Sequence, residues 1–374
     1  LLEVRRHPLV TLLTNIGKTP SGAGFKGSAI MKEITANPEF KVQEDFYGGR
    51  YAKVSGTYTT AADATVTLTG AGTQSGYIFT VGDIIFNQRT GERMIVKTIA
   101  SATTITIGRS LGSTAAAAGA DGDGLFIIGN ASEENSGARN VNTTKVNQPS
   151  NYTQIFKTTI AVSNTEKESD FYGPQTLTWQ RAKKGTEHMM DIERALWFGE
   201  KGSDTGGTQA KPRRFTGGIL EHLEGNNGYI QDQGGVLTAP DFNTFLREAF
   251  TYGDSKKTLF AGANILQALS EISRGQLVTK NQDSTYGVKV SEWVTSFGDI
   301  NVVQNPLLVQ DLAGYGFLLD LNCYKFVAYR NRDTKLQLNV QANDIDGEID
   351  QYLTECGLKR EQAQKCALIK GVEA

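Results

Sequence analysis

The sequence is poor in the residues that most often carry chemistry. It holds 3 cysteines and 3 histidines in 374 residues. Cys323, Cys356 and Cys366 form no Cys-x-x-Cys pair, which speaks against a zinc knuckle, and they read as three reduced thiols in a protein made in a cytosol. His7, His188 and His222 lie far apart, and none belongs to a His-Glu-x-x-His pattern. Glu187-His188 and His222-Leu223-Glu224 each supply two ligands where a metal needs three or four, so a helix surface or a partner contact is their expected place. No Gly-x-Ser-x-Gly elbow occurs. Net charge is also lacking: 38 basic against 40 acidic residues leave −2. A near-neutral chain is not built to grip nucleic acid, because tight non-specific binding needs many Lys and Arg contacts to phosphate. No signal peptide is read, and no apolar run is long enough to span a bilayer. Without a secretory signal the triplets Asn142-Thr143-Thr144 and Asn151-Tyr152-Thr153 carry no meaning as glycosylation sites. No solenoid repeat is found.

Apolar residues, at 39%, suffice for a real core, and the length suggests two or three compact units. Residues 1–50 read as an arm without a core of its own: an apolar patch at Leu9, Leu12, Leu13 and Ile16, a loop over Gly17–Gly27, one or two helical turns at Ala29–Ala36, and a short strand at Phe40–Glu44. From residue 51 the charges thin out. Thr65–Leu68, Gly82–Phe86, Arg93–Lys97, Thr103–Ile107 and Leu125–Ile128 are short strands with turn signals between them, the pattern of a small all-β barrel or sandwich. Ala115–Gly124 is expected to be an exposed, mobile loop. Residues 132–150 form a polar connector, and Thr153–Val162 is extended.

The spacing of Met189, Ile192, Ala195 and Leu196 predicts a long helix within 168–199, weakened by Gly185. Ala239-Pro240-Asp241 opens a second helix with Phe242, Phe245, Leu246, Ala249 and Phe250 on one face. Ile265, Leu266, Leu269 and Ile272 mark a third, ending near Gly275. Strands are expected at Thr258–Ala261, Gly287–Val294, Ile300–Val303, Gly316–Leu321 and Tyr324–Tyr329, and within 333–340 and 352–371.

Three motifs come near to function. Gly22-Ala23-Gly24-Phe25-Lys26-Gly27 fits G-x-G-x-x-G, but the strand before it is broken by Pro20 and no βαβ unit follows. Gly17-Lys18-Thr19 resembles the end of a P-loop, yet Leu12 stands where its first glycine is needed. Asp344, Asp346, Glu348 and Asp350 alternate without the spacing of a calcium loop, and a solvated strand edge is their expected role. No residue is therefore assigned as catalytic, cofactor-binding or metal-binding.

The order of elements resembles the major capsid proteins of tailed phages with the Hong Kong 97 fold, and more closely a phage capsid family long filed as a domain of unknown function. The residues that carry the resemblance are Val81–Ile85 with Thr90–Val96, Thr104–Ile107 and Arg109, Ala131 with Glu133 and Glu134, Thr153–Phe156 and Val162-Ser163. Asp191–Glu193 with Ala195, Leu196 and Gly199, Thr216–Ile219, Glu355, Gly357-Leu358 and Ile369–Gly371 complete the set. The match runs over roughly residues 40–371. The resemblance implies an α+β fold divided into an N-terminal arm (1–50), an extended loop (51–165) with an inserted β domain (about 54–131), a peripheral domain with the spine helix (166–235), an axial domain (236–330) and C-terminal strands returning to the peripheral domain (331–374). It implies no enzyme and no cofactor. It implies a subunit of the virion shell, made in the bacterial host cytoplasm, that forms hexamers and pentamers around double-stranded DNA. Its partners would be other copies of itself and portal, scaffold or decoration proteins, with no membrane. The competing reading is a β-rich binding module, such as a carbohydrate-binding or tail-associated structural protein.

Overall fold

The computed structural model describes residues 31–45, 50–69, 78–140, 146–169, 177–207, 211–226, 228–276 and 292–373. His7, the Gly17–Thr19 and Gly22–Gly27 loops, and residues 287–291 of one expected strand lie outside them. The chain divides into two compact units: one runs to Val42 and resumes at Gln148, and the other is Gln43–Asn147.

The first described element corrects an expectation. Ala29–Ala36 is expected to hold one or two helical turns. Instead β1 (Met31–Thr35) is a strand, paired in parallel with Tyr324–Tyr329. So short a run has no strong preference of its own, and a backbone partner nearly three hundred residues away decides it. Glu33 fixes the position by pairing with Lys325 at 3.2 Å and Lys359 at 3.1 Å. β2 (Glu39–Lys41) then pairs antiparallel with Ser150–Tyr152.

The second unit is a closed barrel of six short strands: β3 (Tyr51–Val54), β4 (Asp63–Thr69), β5 (Asp83–Asn87), β6 (Arg93–Ile99), β7 (Thr104–Gly108) and β8 (Gly124–Asn130). They close in the order β3-β4-β7-β6-β5-β8, with every pairing antiparallel. Period-two alternation sends Ala64, Val66 and Leu68 inward to meet Ile85, Met94, Val96, Ile105, Ile107 and Leu125. Closure leaves no strand edge open. The loop over Ala115–Gly124 is not the free loop expected. The carbonyls of Ala117 and Ala118 accept from Arg109 and Arg89, and Gly119 bridges to Tyr58. Small residues let this backbone lie against the Tyr58 ring.

The first unit holds two large sheets, two two-stranded ones (β2 with β9, β11 with β12) and five α-helices among its described residues. After β9 (Ser150–Tyr152) and β10 (Gln154–Ser163) come the short α1 (Asn164–Glu168) and α2 (Leu177–Phe198), continuous through Gly185. There follow β11 (Gly202–Asp204), β12 (Arg213–Phe215), α3 (Ile219–Gly225), β13 (Tyr229–Val236), α4 (Ala239–Ala249), β14 (Lys256–Ala261), α5 (Ala263–Gln276), β15 (Glu292–Val294), β16 (Asp299–Gln304) and β17 (Gly316–Leu319). The chain ends with β18 (Tyr324–Tyr329), β19 (Lys335–Gln337), β20 (Gly347–Arg360) and β21 (Ala367–Glu373). One sheet has the order β1-β18-β20-β10, with β19 added to β20; the other runs β13-β21-β17-β14-β16-β15.

Thr238 caps α4 by accepting from the Asp241 N–H, and the helix buries Phe242, Phe245, Leu246 and Ala249, the face its spacing predicted. These pack with Ile265 and Leu269 of α5 over the six-stranded sheet. The other core gathers Ile192, Leu196 and Trp197 of α2 with Phe260, Phe317, Tyr324 and Leu358. Trp197 meets Phe260 edge-on at 5.2 Å and Phe317 at 5.0 Å. The fold is α+β with an inserted all-β barrel.

Candidate functional site: an assembly subunit and its polar pins

Several residues that carried the resemblance meet around one buried side chain, Asn151. Its amide nitrogen donates to the carbonyls of Leu358 at 2.7 Å and Gly217 at 3.0 Å, and its Oδ1 accepts from the Gly217 N–H at 2.8 Å. The Thr216 hydroxyl lies 3.3 Å from the same nitrogen and accepts from the Leu358 N–H. Beside it, Gly218 donates to the Gly199 carbonyl at 2.6 Å. A Cβ on Gly218 would stand 2.8 Å from the Gly199 nitrogen, so only glycine lets the two segments touch. Arg360 ties the same turn by donating to the Gly218 carbonyl at 3.0 Å and pairing with Glu221. Sequence reasoning had noted Asn151 only as a glycosylation-type triplet. Its fourfold role depends on strands two hundred residues apart, and no local pattern announces it.

The long helix α2 is held to its sheet by polar side chains. His188 is buried, with Nδ1 2.8 Å from the Thr158 hydroxyl and Nε2 2.8 Å from that of Thr354. Burial lowers its pKa, against the opposing pull of Asp191. His222 is also buried, its Nδ1 3.2 Å from the Tyr324 hydroxyl; burial and the nearby Arg360 charge bring its pKa down to about 3. The expected surface placement of both histidines is thus overturned. Each ring finds a hydroxyl partner inside the fold, which makes its burial affordable.

The acidic run is a solvated edge only at its start: Asp344 and Asp346 are exposed, Glu348 is half-buried and Asp350 is buried. Asp350 is fully buried and meets Arg181 at 2.6 Å, Glu348 pairs with Arg181 at 2.7 Å and with Lys167, and Asp346 accepts from Asn164. β20 lies inside the sheet between β10 and β19, so its alternate residues face α2 rather than water.

The barrel carries its own pins. Arg109 forms a two-pronged pair with Glu92, at 2.7 and 2.5 Å, and both side chains are excluded from solvent. The N–H groups of Ser110 and Ala117 also donate to Glu92. Burial works against this carboxylate, yet these donors hold its pKa below the usual range. Asp123 accepts from Arg89 at 2.5 and 2.9 Å, from Asn87 and from the Ala120 N–H, and the Arg89 contact leads in lowering its pKa to about 2. These pairs fasten the loop after β7 to the turn between β5 and β6.

Among the described residues no three His, Cys, Asp or Glu side chains are grouped to hold a metal, and no helix is long and apolar enough to cross a membrane. An open polar hollow of about 560 Å³ lies beside Asp232, Asn264, Asp311 and Lys370. The surface is more telling. Ile34 on β1 is 74% exposed and Val294 on β15 is 73% exposed. Leu336, Leu338 and Val340 are exposed at alternate positions along β19 and its continuation. Apolar side chains at sheet edges offer surface that other chains of an assembly can cover.

The sequence matches the model of the SU10 major capsid protein family over residues 11–373, and the chain belongs to that family. It is 24% identical over 353 residues to a major capsid protein of Pseudomonas phage PaMx41, an alignment covering 86% of this chain and 82% of that one. Among solved structures it is similar to the capsid asymmetric unit of cyanophage A-1(L), at 12% identity and a TM-score of 0.47, covering 65% of this chain and 84% of that one. It is also similar to the capsid of cyanophage P-SCSP1u, at 8% identity and a TM-score of 0.45, covering 66% and 81%. The protein is a phage major capsid protein, and its place is the virion capsid.

Proposed function

We propose that this chain is the repeating wall subunit of an icosahedral phage head, assembling into hexamers and pentamers that enclose double-stranded DNA. The family match over residues 11–373 carries the reading. It also favours the shell over a carbohydrate-binding or tail-associated module. The subunit works by association and performs no catalysis. Residues 1–50 serve as the arm, 51–165 as the extended loop with its barrel, 166–235 and 331–374 as the peripheral domain, and 236–330 as the axial domain. Exposed Ile34, Val294 and Leu338 support contacts with neighbouring copies, since such positions gain from burial at about 25 cal/mol per Å². Near-zero net charge suits a wall that encloses DNA without gripping it. Portal, scaffold or decoration proteins are its further partners. Sedimentation of the full chain over a range of concentrations tests the proposal. Capsomer-sized and shell-sized species are expected; a monomer at every concentration would refute it.

A further inference from the structure

The three cysteines divide into a pair and a single. Cys323 closes a 3₁₀ turn (Leu321–Cys323) just before β18, and Cys366 follows a second such turn (Ala363–Lys365) just before β21. β18 and β20 bring the two turns together. Tyr324 stands opposite Arg360, and the Cys323 carbonyl accepts the Glu361 N–H at 2.9 Å. The chain then doubles back at Gln362, whose φ is +47°, and delivers Cys366 to Cys323. Both thiols are buried in the one core cluster that α2 shares with the two large sheets, close enough for each to act on the other's ionisation. Cys356 is buried on β20 among other neighbours, Asp333 and Glu355.

The two sulfurs are not equivalent. Burial opposes ionisation of Cys366, but the Cys323 thiol, the Tyr324 hydroxyl and the Lys257 ammonium stabilise its thiolate and bring its pKa below the ordinary value. Contact with the Cys366 sulfur, together with burial, pushes Cys323 up. Lys257 is held in place by the carbonyls of Ala249, Tyr252 and Lys365, at 2.5, 2.8 and 2.6 Å. The pair is therefore a better nucleophile beside a thiol that keeps its proton. Glu361, Gln362, Gln364 and Lys365 of the intervening turn are half-buried, while Ala363 and both thiols are buried.

We propose that Cys323 and Cys366 are a latent disulfide, reduced in the chain as it is made and closed by peroxide after the shell leaves the reducing cytosol. The Cys366 thiolate attacks hydrogen peroxide, giving a sulfenic acid and hydroxide. The Cys323 thiol displaces that hydroxyl as water, and its proton is accounted for in the water released. The sum is two thiols and one peroxide going to one disulfide and two waters. The bond joins the start of β18, in one sheet of the unit, to the start of β21, in the other. It would lock the two sheets against each other after assembly.

The test uses the full chain, free and in particles, treated with hydrogen peroxide, then denatured, alkylated and peptide-mapped without reductant. The expected result is a linked peptide pair holding Cys323 and Cys366, lighter by two hydrogens, with Cys356 still alkylated. The melting midpoint should rise by about 3 °C or more and fall back with dithiothreitol. Cys323→Ala and Cys366→Ala should each abolish the link, and Cys356→Ala should keep it. Should a variant fail to fold, the mapping of the unaltered chain decides alone. Three alkylated thiols after oxidation, a link through Cys356, or oxidation that stops at sulfinic acid would overturn the proposal.

Discussion

At the scale of single residues, stability rests on polar groups that the fold has buried and then satisfied. Removing one partner of such a pair leaves the other charged and dry. Arg109→Ala should therefore cost the barrel about 3 kcal/mol, read by chemical denaturation, because Glu92 has no route to solvent. A loss below about 1 kcal/mol would mean that water reaches the site. Acid should act in two windows. His222 binds its proton near pH 6.5 when unfolded and near 3 when folded, so stability should fall as pH drops from about 6.5 toward 3. Asp123 has a folded pKa of about 2 against an ordinary 3.8, so its contribution is full above about 4 and is lost as pH falls toward 2. Melting curves across this range, compared with His222→Gln and Asp123→Asn, separate the windows: each variant should flatten its own and leave the other.

At the scale of elements, what was legible followed periodicity. The alternation in Asp63–Thr69 and the helical stripe of Phe242, Phe245, Leu246 and Ala249 are local patterns, and the structure keeps both. What failed was decided elsewhere in the chain. β1 is a strand because β18 is beside it. Glu348 and Asp350 are drawn into the fold because β20 runs through the middle of a sheet beneath α2, while Asp344 and Asp346 stay exposed. Asn151 gains its meaning from Leu358 and Gly217. The turn at Gly217-Gly218 was noticed as a motif, but its reason is the close approach of Gly199, which sequence does not show. Gly218→Ala should lower stability by about 2 kcal/mol, since the added methyl meets backbone that has nowhere to move. Asn151→Ala should cost about as much by orphaning buried carbonyl and N–H groups. Both are measurable as shifts in the denaturation midpoint.

At the scale of the molecule, the chain leaves the larger unit and returns to it at neighbouring points, for the Val42 N–H donates to the Pro149 carbonyl at 2.9 Å. A chain in which Gln43–Asn147 is replaced by a two-residue turn should still fold its remaining unit, shown by a cooperative melt with retained near-ultraviolet dichroism. The exposed apolar residues belong to this scale as well, because nothing among the described residues covers them. Ile34→Asp and Leu338→Asp should change the subunit's own stability by less than about 0.5 kcal/mol while reducing assembly. The chain is expected to build a closed shell, and electron microscopy of the purified protein and of virions tests this most directly. Closed icosahedral particles with this chain as their main component are the predicted result; a dispersed monomer, absent from the heads of the virions, would contradict it.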